Sequence, residues 1–184
     1  MPDEREWPKV KSTIYSWLWK NPASNSLVVA LAHLSSGDRT LDIGCGPGAA
    51  VRRAARIVTK GRAVGVDRSQ AMVAIARRRA EGLENVAFEV GAVEALPFPD
   101  DTFTVVWTVS AFHHWTDPEA GLEEIRRVLT PGGRLIIVEA QTSGEHGLSA
   151  AGAEKLRAEL LRHGWVQPVM SRHQKEFVVS AHAR

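Results

Sequence analysis

Short apolar runs alternate with stretches of helical periodicity along most of the chain. Continuous or β-branched apolar runs predict buried strands, and apolar positions that recur every three or four residues predict helices. The predicted strands are Thr40–Ile43, Ala63–Val66, Val86–Val90, Phe103–Val109 and Leu135–Val138. The predicted helices are Val51–Val58, Ser69 to about Glu81, Pro118 to the segment 131–133, and Ala151–Arg162.

Capping residues mark several of these helix ends. Ser69 is the predicted N-cap of the second helix, which Gly82 closes, and Asp117 followed by Pro118 opens the third. The prolyl-diglycine segment 131–133 is expected to end that third helix before the fifth strand begins.

The alternation of strands and helices predicts an α/β fold, a doubly wound sheet of parallel strands with helices on both faces. Two last apolar runs, Trp165–Met170 and Phe177–Ser180, flank a polar, basic loop and predict a hairpin, which makes one strand antiparallel. We expect a single domain, with an N-terminal helical segment over 1–36 and a core over 37–184. In such sheets ligands bind at the carboxyl ends of the strands.

The N-terminal segment is rich in aromatic and apolar residues at helical spacing. One or two amphipathic helices there would either pack on the sheet edge, which we favour, or form a lid over the ligand. The residues concerned are Trp7, Ile14, Tyr15, Trp17, Leu18 and Trp19.

Composition and charge exclude several classes of protein. The 184 residues are 44% hydrophobic and carry a net charge of +2, which fits one globular domain rather than a disordered chain, a nucleic-acid wrapper or a polybasic membrane binder. The single cysteine excludes an internal disulfide. Residues 1–6 are acidic and lack a signal-peptide core, and the run Leu27–Ala32 is too short to span a bilayer. These features predict a cytoplasmic protein without a membrane partner.

A glycine-rich loop follows the first strand. Residues 41–48, Leu-Asp-Ile-Gly-Cys-Gly-Pro-Gly, allow a tight turn and close approach of a ligand, and the next helix begins with free N–H groups that favour an anion. That anion is either a pyrophosphate or the carboxylate of an amino-acid ligand. Asp67 ends the second strand, where a carboxylate can accept hydrogen bonds from two ribose hydroxyls. Both NAD and S-adenosylmethionine fit this pattern.

Four segments in this order resemble the class I S-adenosylmethionine-dependent methyltransferases, in particular the small-molecule subgroup of ubiquinone/menaquinone type. They are 41–48, the Val-Gly-Val-Asp-Arg-Ser segment 64–69, the Glu-Ala-Leu-Pro-Phe-Pro-Asp-Asp segment 94–101, and 127–135 with its Pro-Gly-Gly. The resemblance covers roughly residues 36 to 140. It implies a Rossmann-like sheet of seven strands in the order 3-2-1-4-5-7-6 with strand 7 antiparallel, and S-adenosyl-L-methionine as cofactor.

The resemblance also implies roles for particular residues. Asp42, Gly44, Gly46 and Gly48 would line the methionine end of the cofactor, with Cys45 as a small residue of the same turn. Asp67 would hold the ribose. The adenine and methionine contacts would come from Arg68, Met72, Ala92, Val93 (through its backbone N–H) and Ser110.

Two positions depart from the family pattern. Ala92 stands where the family usually has an acid for the adenine amino group, and Glu94 could replace that acid only if the loop shifts. Thr104 stands where an aspartate usually follows Phe103. We therefore expect cofactor binding to persist but to be weaker.

The segment 110–115, Ser-Ala-Phe-His-His-Trp, follows the fourth strand, where a general base would be needed. An imidazole titrates near neutral pH and suits that role. Because adjacent side chains diverge, we expect only one histidine to face the acceptor, with His113 preferred to His114; the alternative is that both only orient the loop. The remaining histidines, among them His146, are expected at the surface or in packing. No cluster has convincing metal-ligand spacing, so no metal is expected.

The sequence thus predicts methyl transfer to a small-molecule acceptor at oxygen, nitrogen or carbon. A catalytically silent cofactor-binding protein or regulatory subunit is the alternative, and a nicotinamide dehydrogenase is disfavoured. A nucleic-acid substrate is a minor interpretation, because 109–112 lacks an Asn/Asp-Pro-Pro-aromatic motif and the arginines at 52, 53, 56 and 77–79 fit solvated outer faces. Whether the protein forms a homo-oligomer stays open.

Overall fold

A computed structural model describes residues 22–142 and 146–184. Its helices are α1 (Pro22–Leu31), α2 (Ala49–Ala55), α3 (Gln70–Arg79), α4 (Pro118–Val128) and α5 (Ala150–Arg162). Its strands are β1 (Arg39–Ile43), β2 (Arg62–Asp67), β3 (Val86–Val90), β4 (Phe103–Val109), β5 (Leu129–Ala140), β6 (Val166–His173) and β7 (Glu176–His182). The aromatic positions predicted between residues 7 and 19 lie outside the described residues.

The strands form one seven-stranded sheet in the order β3-β2-β1-β4-β5-β7-β6. Neighbouring strands from β3 to β5 are parallel, whereas β7 is antiparallel to both β5 and β6. The predicted sheet order and terminal hairpin are therefore confirmed. The parallel arrangement brings the carboxyl ends of β1, β2, β3, β4 and β5 to one edge, as this topology requires.

Two apolar layers cover the faces of the sheet. One layer joins α1, α2 and α3 to the sheet, with Val28, Val51 and Trp107 fully buried. The other joins α4 and α5 to the opposite face, with Ile125 and Leu160 fully buried. Burial of such side chains supplies most of the free energy that holds the helices on the sheet. Across the described residues, no helix combines the length and apolar character needed to cross a membrane.

Two predicted N-caps are confirmed by capping contacts, whereas the first predicted helix, Val51–Val58, instead spans Ala49–Ala55. The Ser69 hydroxyl accepts a hydrogen bond from the Met72 N–H at 3.3 Å, and the Asp117 carboxylate accepts from the N–H groups of Glu119 and Ala120 at 3.1 Å. The prediction that the segment 131–133 ends the third helix is wrong. That helix, α4, ends at Val128, and the segment lies inside β5.

The C-terminal end of the chain explains this longer strand. The Gly132 N–H donates to the Ala183 carbonyl at 3.2 Å, and the Ala183 N–H donates to the Gly133 carbonyl at 2.8 Å. Gly132 has φ of 75°, a conformation that glycine adopts without a Cβ clash. Pairing with the chain terminus, which is distant in sequence, thus extends the strand through a segment whose composition predicts a break.

The Leu-Pro-Phe-Pro-Asp loop after β3 is held by α4. Arg127 donates to the carbonyls of Leu96 and Phe98 and to the carboxylates of Asp100 and Glu124. The hydrogen bond from Arg127, with that from the Leu96 N–H, keeps the pKa of Glu124 below its usual value despite partial burial. The segment 94–101, which carries part of the family resemblance, is therefore held by structural contacts. These contacts fix the path of the loop after β3.

Candidate active site

A cavity of about 680 Å³ lies at the carboxyl edge of the sheet. Its size is within the range of roughly 300–1,000 Å³ that is typical of small-molecule sites. Most of the site residues predicted from the sequence line it: Gly44, Gly46, Asp67, Arg68, Met72, Val93, Ser110, His113 and His114. The tertiary structure thus gathers segments that lie up to 70 residues apart in the chain.

The glycine loop curves around one side of the cavity. Gly44 and Gly46 have φ of 68° and 49°, in the left-handed region that side chains with a Cβ rarely adopt. A Cβ on Gly44 would lie only 2.6 Å from the Cβ of Ala111, so the turn after β4 can approach the loop only because this residue is glycine. The loop therefore presents bare backbone to the cavity.

Asp67 ties this loop to the end of β2. The Gly46 N–H donates to Oδ2 at 2.7 Å, and the Ser69 N–H donates to Oδ1 at 2.9 Å. Because each carboxylate oxygen can accept more than one hydrogen bond, both can also accept from ligand hydroxyls. The Asp67 side chain thus both shapes the loop and faces the cavity.

The loop after β3 forms the next part of the wall. The Gly91 N–H donates to the Asp67 carbonyl at 3.1 Å, which places residues 91–94 directly beside the end of β2. Gly91, Val93 and Glu94 line the cavity here, opposite Met72 of α3. Glu94 accepts hydrogen bonds through Oε1 from the N–H groups of Thr116 (2.8 Å) and Asp117 (3.3 Å). Glu94 is therefore part of the cavity wall and is held by the residues that open α4.

The turn after β4 supplies the other wall. Ser110 has φ of 50°, and its N–H donates to the Val138 carbonyl at 2.9 Å, so the chain turns sharply at the end of the strand. A short 3₁₀ turn over Phe112–His114 follows. This turn points both histidines of the pair toward the cavity.

Glu139 fixes the first of these histidines. It lies near the end of β5, is fully buried, and accepts a hydrogen bond from the Phe112 N–H at 2.7 Å. Its other oxygen lies 2.7 Å from His113 Nδ1. An ionised carboxylate can only accept, so Nδ1 is the donor in this pair, and Nε2 is the ring nitrogen that does not contact Glu139. Sequence reasoning missed Glu139, although a lone acid directly after the apolar run 135–138 was the signal.

Three imidazole rings meet at this end of the cavity. The His113 and His114 ring centroids are 4.0 Å apart, and the His146 ring lies 6.0 and 6.3 Å from them. Both adjacent histidines line the cavity, because the 3₁₀ turn brings both side chains to the same wall; which of them faces the acceptor stays a prediction. His146 is exposed, as predicted, and it also lines the cavity, which the sequence did not reveal.

Four predicted cofactor residues do not line the cavity. Asp42 and Cys45 are buried on the sheet face that holds α1 and α2, because side chains alternate along a strand and its continuation. Gly48 is the N-cap of α2 with φ of 73°, where a Cβ would meet the Phe88 ring at 2.6 Å. Ala92 forms an isolated bridge with Ala95.

Thr104, the second position that departs from the family pattern, lies far from the cavity along its strand. Thr104 is near the start of β4, where its hydroxyl donates to the Asp38 carboxylate at 2.7 Å. The carboxyl end of β4, which carries Ser110, is at the other end of the strand. Thr104 therefore lies toward the amino ends of the parallel strands, at the end of the sheet opposite the cavity.

One cluster with metal-ligand spacing occurs among the described residues, outside this cavity. Donor atoms of Glu119, Glu123 and His163 lie within 4.8 Å of one another in a groove between α4 and α5. Sequence spacing did not reveal it, because His163 is distant along the chain from the two glutamates.

Comparison with known proteins agrees with this fold. The family profile described as "Methyltransferase domain" matches residues 41–137. The chain is 35% identical over 130 residues to an uncharacterised methyltransferase of Schizosaccharomyces pombe, a match that covers 66% of this chain and 46% of that protein. It is 40% identical over 112 residues to the ubiquinone/menaquinone biosynthesis C-methyltransferase of Geobacter sulfurreducens, covering 59% and 44% of the two chains.

A solved structure shows the same fold. The SAM-dependent methyltransferase from Aquifex aeolicus superposes with a TM-score of 0.80 at 22% identity, over 97% of this chain and 100% of that one. The fold and the cavity define a Rossmann-like cofactor-binding domain, and the family match identifies its class. This chain belongs to the S-adenosylmethionine-dependent methyltransferases, and its cofactor is S-adenosylmethionine. The matches span less than half the length of both curated relatives.

The described residues fit this cofactor. The bare backbone of Gly44 and Gly46 gives room for the amino-acid end, and the Asp67 carboxylate offers acceptors to ribose hydroxyls. The wall formed by Met72 and Val93 is apolar and suits a flat base.

Proposed function

We propose that this protein transfers the methyl group of S-adenosylmethionine to a protonated atom of a small-molecule acceptor, with His113 as the general base. The observation that supports this proposal most strongly is the pair formed by His113 and Glu139, 2.7 Å apart, in the cavity that also holds the glycine loop and Asp67. A silent cofactor-binding protein would have no need of a buried carboxylate aimed at a histidine in the acceptor region.

Glu139 prepares His113 for proton transfer. Its carboxylate fixes the imidazole tautomer in which Nδ1 is protonated, so the lone pair of Nε2 is the group available to an acceptor. The carboxylate also stabilises the imidazolium that forms when Nε2 takes a proton. The hydrogen bond from the Phe112 N–H holds the carboxylate itself in place.

The acceptor region is formed by the turn after β4 and the loop after β5. The side chains of His114 and His146 line it, and both residues are exposed at its rim. When bound, the cofactor supplies an electrophilic methyl group on a sulfonium, and the residues here bring the acceptor atom into line and remove its proton. A hydroxyl, an N–H or an acidic C–H satisfies these requirements.

Two experiments test the proposal in sequence. Isothermal titration calorimetry with S-adenosylmethionine, S-adenosylhomocysteine and NAD should show binding of the first two and none of NAD. A screen with a radiolabelled methyl group over a panel of phenols, hydroxy acids, amines and quinols should then find an acceptor. Cofactor binding with no methyl transfer to any panel member, while a known small-molecule methyltransferase labels its own acceptor in the same assay, would favour the silent binding protein.

A further inference from the structure

Three side chains of metal-binding type meet in the groove between α4 and α5. Donor atoms of Glu119, Glu123 and His163 all lie within 4.8 Å of one another, and none of the three residues lines the cavity of the proposed reaction. We call these three residues the α4–α5 cluster. The groove has a volume of about 430 Å³, so a metal ion and its bound water have room there.

Helix α4 supplies the two carboxylates of the cluster. Glu119 and Glu123 are four residues apart, so they lie on the same face of the helix, and two like charges at this spacing destabilise a helix. Among the described residues neither acid has an ion pair with lysine or arginine. Lys155 and Arg162, which line the groove, instead pair with Glu159 at 3.8 and 3.5 Å. A cation bound between the two carboxylates would remove their repulsion.

The imidazole of the cluster comes from the end of α5. His163 is the C-cap of that helix, and its N–H donates to the Glu159 carbonyl at 3.0 Å. Its own carbonyl accepts a hydrogen bond from Arg126 Nη1 of α4 at 2.7 Å, and Trp165, two residues later, is buried. These contacts fix the backbone of His163 against α4 without any ligand, so the position of the imidazole beside the carboxylates is set by the fold.

The separation of two donor atoms fits the ligands of one ion better than it fits a hydrogen bond. His163 Nε2 lies 3.5 Å from Glu119 Oε1. That distance is longer than the usual N–H···O range of about 2.7–3.2 Å. Zinc binds imidazole nitrogen and carboxylate oxygen at about 2.0–2.2 Å, so at a tetrahedral angle two such ligand atoms are roughly 3.3–3.6 Å apart. Glu123 is exposed, and its side chain can therefore rotate to supply the third ligand.

The mixture of nitrogen and oxygen ligands indicates which metal the cluster would take. Magnesium and calcium prefer sites built from oxygen alone, whereas imidazole together with carboxylate suits zinc. The Glu119 side chain is 69% exposed, so water can reach a fourth tetrahedral position. We propose that Glu119, Glu123 and His163 bind a zinc ion, which joins the start of α4 to the end of α5.

Two variants remove the site in different ways. His163→Ala removes the imidazole, and the double variant Glu119→Gln/Glu123→Gln keeps the shape of both side chains but removes their charges. His173→Ala is the matched control, because His173 is a half-buried histidine of β6 that does not line the groove. Circular dichroism checks that the variants are folded. With zinc chelated, their cofactor binding should stay normal because the cluster lies outside the cavity.

The test is calorimetry with zinc chloride on the full chain after a chelator has removed any bound metal. The wild type and His173→Ala should bind one equivalent of zinc with a Kd of about 10 μM or tighter. In His163→Ala and in the double variant that affinity should fall at least about a hundredfold, because each lacks ligands of the ion. Magnesium chloride should bind the wild type at least about a hundredfold more weakly than zinc. Zinc should raise the unfolding temperature of the wild type and not that of the two cluster variants.

Two outcomes would overturn this inference. If the wild type shows no saturable zinc binding up to about 1 mM, the cluster is not a zinc site. If both cluster variants bind zinc with the affinity and stoichiometry of the wild type, the ion has other ligands, such as the imidazoles of the cavity. The proposed methyl transfer depends on neither result, because the cluster and the cavity share no residue.

Discussion

The carboxylate of Glu139 lies 2.7 Å from Nδ1 of His113, and the two residues come from neighbouring strand ends of the sheet. Glu139 is fully buried, whereas the His113 side chain keeps 11% of its surface exposed toward the cavity. A buried charge is costly unless it is paired and hydrogen-bonded. His113 and the Phe112 N–H satisfy this buried carboxylate, and most of the predictions below follow from the pair or from the cavity that it faces.

Removal of either candidate base tests the role of the histidines. With a protonated acceptor, His113→Ala should lose about 10²–10⁴ in kcat, the range expected for general acid–base catalysis, while cofactor affinity stays nearly intact. His114→Ala should lose less, because His113 is the ring that the buried carboxylate of Glu139 orients. The loss should shrink for an acceptor that is already ionised at the assay pH. If both variants keep near-normal turnover on a protonated acceptor, neither histidine is the general base, and catalysis rests on proximity and orientation.

Glu139→Gln tests whether the buried carboxylate acts through His113. The amide can accept from only one of its two present donors, the Phe112 N–H and His113 Nδ1, so the imidazole loses its fixed tautomer. We expect kcat to fall at least about tenfold with little change in the acceptor KM. In the background of His113→Ala the same substitution should have almost no further effect on kcat. Additive losses would contradict the coupling.

Asp67→Ala tests the ribose assignment. The substitution removes the acceptors for Gly46 N–H and Ser69 N–H and those offered to the ribose hydroxyls. Binding of S-adenosylmethionine should weaken at least tenfold, or about 1.4 kcal/mol. The control is Glu123→Ala, an exposed acid outside the cavity, which should bind normally. If calorimetry shows an unchanged dissociation constant for Asp67→Ala, Asp67 does not bind the ribose.

Gly46→Val tests the glycine loop. Gly46 has φ of 49°, which a β-branched residue adopts only with strain, and its backbone lines the cavity. We expect a folded protein without measurable cofactor binding. Native circular dichroism together with normal binding would show that the loop does not contact the cofactor.

Glu124→Gln tests the support of the loop after β3 through its pH dependence. The folded-state pKa of Glu124 is lowered mainly by Arg127, so its stabilising effect is present above the unfolded pKa of about 4.3 and is lost as pH falls through the lower folded value. Urea unfolding at pH 7 should show a loss of about 1–2 kcal/mol. Below pH 4 the difference from wild type should shrink. Glu123→Gln, an exposed neighbour, should show neither effect.

The cofactor edge of the sheet was largely predictable from the sequence. Periodicity gave the strands Val86–Val90 and Phe103–Val109 with the bounds that the structure has. The central strand β4 is buried on both faces and carries a continuous apolar run, whereas the edge strand β3 is partly exposed and alternates. The glycine loop and Asp67 were identified because tight turns and strand ends impose residue types that are visible locally.

The sequence by itself determined the sheet, the family and the cofactor, since these depend on short-range patterns and on motifs in a fixed order. Only the tertiary structure decided which side chains meet in the cavity. Glu139 and His146 approach the 3₁₀ turn from other segments, and Glu94 reaches the wall because the N–H groups of Thr116 and Asp117 hold it there. Such contacts depend on side-chain direction and on chain segments that pack together only after folding, and no periodicity along the sequence encodes them.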